Sequence, residues 1–292
     1  MFTWLKKHLL TVIMLCGLAA GAGLLLYPSV ANYWNSFHQT QAIMAYSDEI
    51  AQMDAEDYET ILNNAKEYNR KLGETGIQWN MSEAQKADYE RQLVVGTTGI
   101  MGYISIPKIH VKLPIYHGTE ESVLQTSIGH LEQTSLPVGG KYSHCCLSGH
   151  RGLPSARLFT DLDKLREGDT WTVTVLNETL TYQIDQIRIV EPADLTNLTI
   201  EGKKDLATLI TCTPYGINTH RMLVRGHRVP NANGDANLTA DAIQIEPMYI
   251  APFLAAPILL ALLAMVLITT RRARRIDAQT QVMGYLRMRG LR

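Results

Sequence analysis

The chain has 292 residues, with 27 Lys and Arg against 28 Asp and Glu, a net charge of −1 and a pI near 6.8. So even a balance argues against nucleic-acid binding, which needs a basic face. The four cysteines, Cys16, the adjacent Cys145 and Cys146, and Cys212, include no CxxC pair with a partner pair, so a structural zinc site has no support.

A short basic N-terminus, residues 1–8 with Lys6 and Lys7, precedes an apolar span at 9–27. Nineteen residues rise about 28 Å as a helix, close to the bilayer core. Ala20-Gly21-Ala22 offers a signal-peptide cleavage site, but the apolar run continues through Leu24, Leu25 and Leu26, which favours an uncleaved anchor. Residues 28–98 read as a helical extension. From Ala42 to Leu72, Ile43, Ile50, Met53, Tyr58, Ile61, Leu62, Ala65 and Tyr68 recur mainly on one face, the pattern of one or two amphipathic helices ending at Gly73 and Gly76. An apolar bump around Trp79 follows, and Ser82 is a fitting N-cap for a short helix to Leu93.

Within 99–230 the texture changes to short β-prone runs between turns: Tyr103–Ile106, Val111–Tyr116, Ser143–Leu147, Trp171–Leu176, Thr181–Val190, Leu206–Cys212 and Met222–Val229. Strands at this spacing predict a mainly β fold, a closed barrel or a sandwich, and about 130 residues suffice to bury one core. An Asn- and Gly-rich linker, 231–247, leads to a second apolar span at 248–270, and a basic tail at 271–292 opens on Arg271, Arg272, Arg274 and Arg275. By the positive-inside rule both termini are then cytoplasmic and the intervening domain lies outside, on a two-span membrane protein.

The chemistry concentrates in two stretches. Residues 206–229 read as a strand ending at Cys212, a turn punctuated by Pro214 and Gly216, and a return strand, which sets Cys212 beside Arg221. A cation near a thiol favours the thiolate and can also hold the oxyanion formed when that thiolate attacks a carbonyl. The third partner is a histidine, best placed at His150, where an apolar strand gives way to the polar loop at Ser148-Gly149. His144 belongs to a strand body, and His220 and His227 flank the Arg221 strand, where packing or solvated roles are commoner. The competing reading of Cys212 is a small buried hydrophobe at a strand end. Cys145 and Cys146 read as packing residues, since adjacent cysteines bridge only with strain. Arg151 and Arg228 read as structural or surface charges, and Thr211 faces away from Cys212 on a regular strand.

The run TLITCTP with Arg221 nine residues after Cys212, together with SGHRGLPSA around His150, resembles the sortases, and specifically the pilin-polymerising class C. The likeness spans Gly99 to Val229. It implies an eight-stranded β-barrel and a membrane-anchored cysteine transpeptidase on the outer face of a Gram-positive cell, with no cofactor or metal. It further implies that Cys212 attacks the threonine carbonyl of an LPXTG-like sorting signal, that His150 serves as acid and then base, and that Arg221 holds the oxyanion. Its partners would be pilin subunits, one supplying the signal and another the acceptor lysine. Class C members usually carry a lid with an Asp-Pro-aromatic tripeptide, and no Asp-Pro pair exists here. Trp79, near 73–81, is the candidate plug of a lid without its carboxylate lock; the other reading is a loop tryptophan packed on the barrel. The alternatives for function are a housekeeping sortase using a cell-wall precursor amine, and a non-catalytic membrane-anchored pilus assembly scaffold.

Overall fold

A computed structural model of the chain describes residues 2–231 together with Leu263, Ala264, Ile268 and Met283. The expected linker, C-terminal span and basic tail lie outside the described residues apart from Asn231 and those four. The fold described below belongs to one compact unit, Met1–Ala240.

Eight strands close a barrel: β1 (Ile100–Ile106), β2 (Val111–His117), β3 (Ile128–His130), β4 (Ser143–Gly149), β5 (Thr170–Val175), β6 (Glu178–Val190), β7 (Asp205–Thr213) and β8 (His220–Val229). Their order around the barrel is β1-β2-β3-β4-β7-β8-β6-β5. The pairs β2/β3 and β4/β7 are parallel and the others antiparallel. Period-2 alternation turns Ile104, Leu113, Ile115, Leu147, Val173, Val175, Leu209 and Val224 into the interior, where all are buried. Trp171 stacks on Tyr182 with ring centroids 6.0 Å apart. A Cβ at Gly226 would sit 2.6 Å from the Trp171 ring, so β8 crosses the indole only as glycine. Seven of the strands follow the apolar runs read above, each to within a few residues. The eighth, β3, is three residues long and too short to carry a period.

The helices are α1 (Phe2–Gln52), α2 (Ala55–Thr75), α3 (Glu83–Glu90) and a single turn, α4 (Glu121–Leu124). The helices expected separately over 9–27 and 42–72 are redistributed: α1 runs on through Pro28, and the division falls at Met53-Asp54, where the Asp54 side chain accepts from Asp57 N at 2.9 Å and caps α2. α2 also passes through Gly73, and Gly76, at φ +76°, ends it. One described helix, with its apolar stretch beginning at Val12, is long and apolar enough to cross a membrane.

Buried polar staples fix these helices to the barrel. Tyr46 on α1 donates to Met101 O (3.0 Å) and accepts from Leu176 N (2.8 Å); burial pushes its phenol above the ordinary range. Asn69 on α2 donates to Leu136 O (2.9 Å) and accepts from Leu136 N (2.7 Å). Ser82 and Gln85 close a capping box at the start of α3, and Tyr89 at its end accepts from Gly118 N at 3.0 Å and meets His130 Nδ1 at 3.0 Å. Each staple satisfies backbone or ring groups that burial would otherwise leave unpaired, at a cost of about 1–3 kcal/mol apiece.

Candidate active site

The site follows from strand parity. On β7, Ala207 and Leu209 point into the barrel core, while Ile210 belongs to an outer cluster with Cys146, Leu198 and Leu223. Cys212 shares the parity of Ile210 and so lies on the outer face. Thr211 faces the other way, buried, and donates from Oγ1 to Gly149 O at 2.8 Å. On β8, Arg221 pairs with Cys212, and Leu223 pairs with Ile210. The parallel β4/β7 ladder matches Ser148 with Ile210, and β4 ends at Gly149, so His150 leaves the strand at the end of the barrel where β7 reaches Cys212. Cys212 and Arg221 are therefore paired on adjacent strands, and His150 opens the loop at the adjoining end of β4.

Local geometry holds His150 at this edge. A Cβ on Gly149 would meet the Phe159 ring at 2.7 Å, so β4 can turn out here only at glycine. Phe159 N donates back to His150 O (3.1 Å), and Gly152, at φ +79°, bends the loop under Tyr215. Arg151 is structural: it meets Asp163 at 2.5 Å and lies over the Tyr215 ring, with 8% of its side chain exposed.

Hydrogen bonding separates the histidines. His144, on the same outer face, is buried and uses both ring nitrogens, Nδ1 against Thr199 O and Nε2 against Thr208 Oγ1, each at 2.7 Å; burial lowers its pKa. His227 lies 3.7 Å from Asp185 at the far end of β8, and His220 is exposed beside Thr219. His150 is only partly exposed, and its Nε2 meets Glu121 Oε2 at 3.3 Å. Glu121, on α4, was not foreseen. It opens a single helical turn 29 residues before His150, and no spacing links the two. Hydrogen bonds from Gln125 and then His150 hold its carboxyl below the ordinary value.

The arginines separate as well. Arg225 shares the face of Arg221 but is held by Asp185 at 3.0 Å and Glu201 at 2.7 Å. Among the described residues Arg221 has no carboxylate partner; its Nη1 donates only to Asn218 O and His220 O, both at 3.3 Å. Arg221 is thus a cation paired with Cys212 across the strands whose charge no carboxylate matches among the described residues. The thiols also divide. Cys145 and Cys146 are buried and unbridged, and burial pushes both well above the usual thiol range, whereas Cys212 is half-exposed.

Trp79 packs against the outer cluster of Cys146, Leu198, Ile210 and Leu223, together with Leu131, Val190 and Leu195. Ile210 and Leu223 are each two residues from Cys212 and Arg221 on the same face. The indole therefore packs against an outer apolar cluster, two of whose residues, Ile210 and Leu223, lie two positions from the thiol and the guanidinium.

Comparison with known proteins points to one family. Residues 104–229 match the family model described as the Sortase domain. Sortase D of Bacillus subtilis (strain 168) is 30% identical over 131 residues, 44% of this chain and 63% of that protein, so the chain spans just under two thirds of that relative. The crystal structure of sortase C1 from Streptococcus agalactiae is 63% identical with a TM-score of 0.64, covering 65% of this chain and 99% of that one. Sortase C of Streptococcus pneumoniae, whose structure was related to catalysis and pilin substrate specificity, is 41% identical with a TM-score of 0.60 and covers 65% and 97%.

Proposed function

The chain belongs to the sortase family of cysteine transpeptidases, and on that premise we propose that it is a membrane-anchored class C enzyme that joins pilin subunits through Cys212, His150 and Arg221. The observation that supports the reading is the pairing of Cys212 with Arg221 across β7 and β8, with His150 opening the loop at the adjoining end of β4. In the reaction, Cys212 Sγ attacks the threonine carbonyl of an LPXTG-like sorting signal, and Arg221 hydrogen-bonds the resulting oxyanion. The threonine–glycine C–N bond breaks as His150 gives a proton to the departing amine. His150 then takes a proton from an incoming lysine amine, which attacks the thioester, expels Cys212 as thiolate and leaves an isopeptide bond. The pilin role is supported by the class C neighbours, and the anchor by the apolar helix from Val12.

An acceptor competition tests it. The full chain in detergent, given one pilin with an LPXTG-like tail and another with a free lysine, is expected to form a covalent product with isopeptide mass. Product formed only with a cell-wall precursor amine would make it a housekeeping enzyme. Absence of any thioacyl adduct on Cys212 would leave a scaffold.

Glu121 acts through His150 by orienting its ring. The contact is exposed and screened by solvent, so its effect is small. Glu121→Gln is therefore expected to lower kcat by roughly 2- to 5-fold with KM little changed, and Glu121→Asp to recover part of it. Equal kcat in all three proteins would make the contact incidental.

Trp79 covers the apolar floor as a plug. With no carboxylate on Arg221, closure rests on burying part of an indole, at most a few kcal/mol. Trp79→Ala is expected to speed hydrolysis of a sorting-signal peptide and alkylation of Cys212 by about 2- to 10-fold. Unchanged rates in a folded protein would reduce Trp79 to a packing residue.

A further inference from the structure

Between Lys7 and Asp48 the chain contains no Asp, Glu, Lys or Arg, although α1 continues well beyond the 9–27 span. The section of α1 after Tyr27 has two unlike faces. Asn35 Nδ2 donates to Ser155 O (2.8 Å), Asn32 Oδ1 accepts from Arg157 N (2.9 Å), and Gln39 Nε2 donates to Thr126 O (2.5 Å). Ile43, Tyr46 and Ile50 continue that row into the barrel core side and are buried. At about 100° per residue, Tyr27, Val30, Trp34 and Phe37 fall roughly 160° around the helix from this row. They are 56%, 55%, 62% and 47% exposed. Trp34 and Phe37 form one cluster with His38, at ring-centroid distances of 4.7 and 5.8 Å.

We propose that the face of α1 formed by Tyr27, Val30, Trp34 and Phe37 is a lipid-contact surface that lies in the headgroup layer of the membrane the helix crosses. The inference rests on the membrane reading above. Three features select lipid over a protein partner. The face continues, on the same helix, directly from the apolar span. Two of its four residues, Tyr27 and Trp34, are the amphipathic aromatics that settle at membrane–water interfaces. It also carries no formal charge to desolvate, and protein-facing rims normally do carry charge.

Geometry then orients the enzyme. Tyr27 to Phe37 rises about 15 Å, whereas each interfacial layer is only about 5–8 Å thick. A helix standing along the normal would lift Trp34 and Phe37 into water. A lean at the upper end of the roughly 0–40° range of spanning helices shortens that rise only to about 11 Å, so a bend at Pro28 is what lowers the aromatic face into the headgroups. The barrel then rides on the side of α1 turned away from the bilayer. The loop that leaves His150, tied to Asn32 and Asn35 through Arg157 and Ser155, is held about one helix diameter above the surface. A substrate still tethered in the same membrane meets the site there.

Nitroxide depth measurement tests this on the full chain in phospholipid vesicles, in a Cys16→Ser, Cys212→Ala background whose remaining thiols are buried. Single labels are placed through Val30→Cys, Phe37→Cys, Leu18→Cys in the span, and Lys203→Cys as an exposed barrel reference. The expected result is an oxygen-to-nickel-chelate accessibility ratio at Val30 and Phe37 several-fold above Lys203 and below Leu18. Adding Trp34→Ser to the Val30 label should move that ratio toward the Lys203 value. Ratios at Val30 and Phe37 equal to Lys203, with Leu18 still deep, would overturn the proposal and leave the anchor standing. An aqueous Leu18 would instead overturn the membrane reading itself. Shielding of Phe37 from both reagents, or label–label broadening, would assign the face to a protein or to a second copy and overturn the lipid assignment.

Discussion

Replacing Cys212 by alanine is expected to abolish thioacyl capture of a sorting-signal peptide and lower turnover by about 10⁴-fold or more, because no other group can form the covalent intermediate. Cys145→Ala and Cys146→Ala should leave most activity. Both thiols are buried, and burial raises their pKa, so neither offers a thiolate at the surface. In the native protein, with Cys16 changed to Ser, mass spectrometry should find alkylation at Cys212 first. Earlier labelling of Cys146, which lies under the apolar floor beside it, would move the nucleophile.

Arg221→Ala should cost about 10²–10³-fold in kcat with a smaller change in KM, the signature of a donor whose contact strengthens as the oxyanion forms. Arg221→Lys should recover only part of this, since a lysine keeps the charge and loses the planar fork. Arg225 serves as the contrast. It is already held by Asp185 and Glu201, so Arg225→Ala should lower the melting temperature more than the rate. If instead Arg221→Ala raised KM alone, the guanidinium would be a ground-state binding group and the oxyanion would have another donor.

The two largest effects fall on residues legible in the chain because their geometry is local. Cys212 and Arg221 belong to one hairpin, and ten residues of turn chemistry suffice to pair them. Ser82 as a helix cap and seven of the eight strands were legible for the same reason: caps and period-2 burial are written within a few residues of where they act. His150 was legible as a residue at a strand end. That β4 ends next to the part of β7 that leads to Cys212 was not, because the parallel β4/β7 register joins segments about sixty residues apart.

What the chain determined by itself was therefore the set of local units: an apolar helix, a β-rich domain, a cysteine hairpin and a histidine at the mouth of a loop. Only the tertiary structure decided how they meet. The three-residue β3 exists because β2 and β4 flank it, and no period can be read over three residues. Glu121 reaches His150 across 29 residues of chain, and Trp79 packs against the cluster of Cys146, Leu198, Ile210 and Leu223 from an earlier part of the chain. The physical reason is common to all three. A strand's alternation or a helix's cap is set by neighbours along the backbone, whereas an ion pair or a covered apolar floor is set by which surfaces the closed barrel brings together, and that is fixed only when distant strands choose their register.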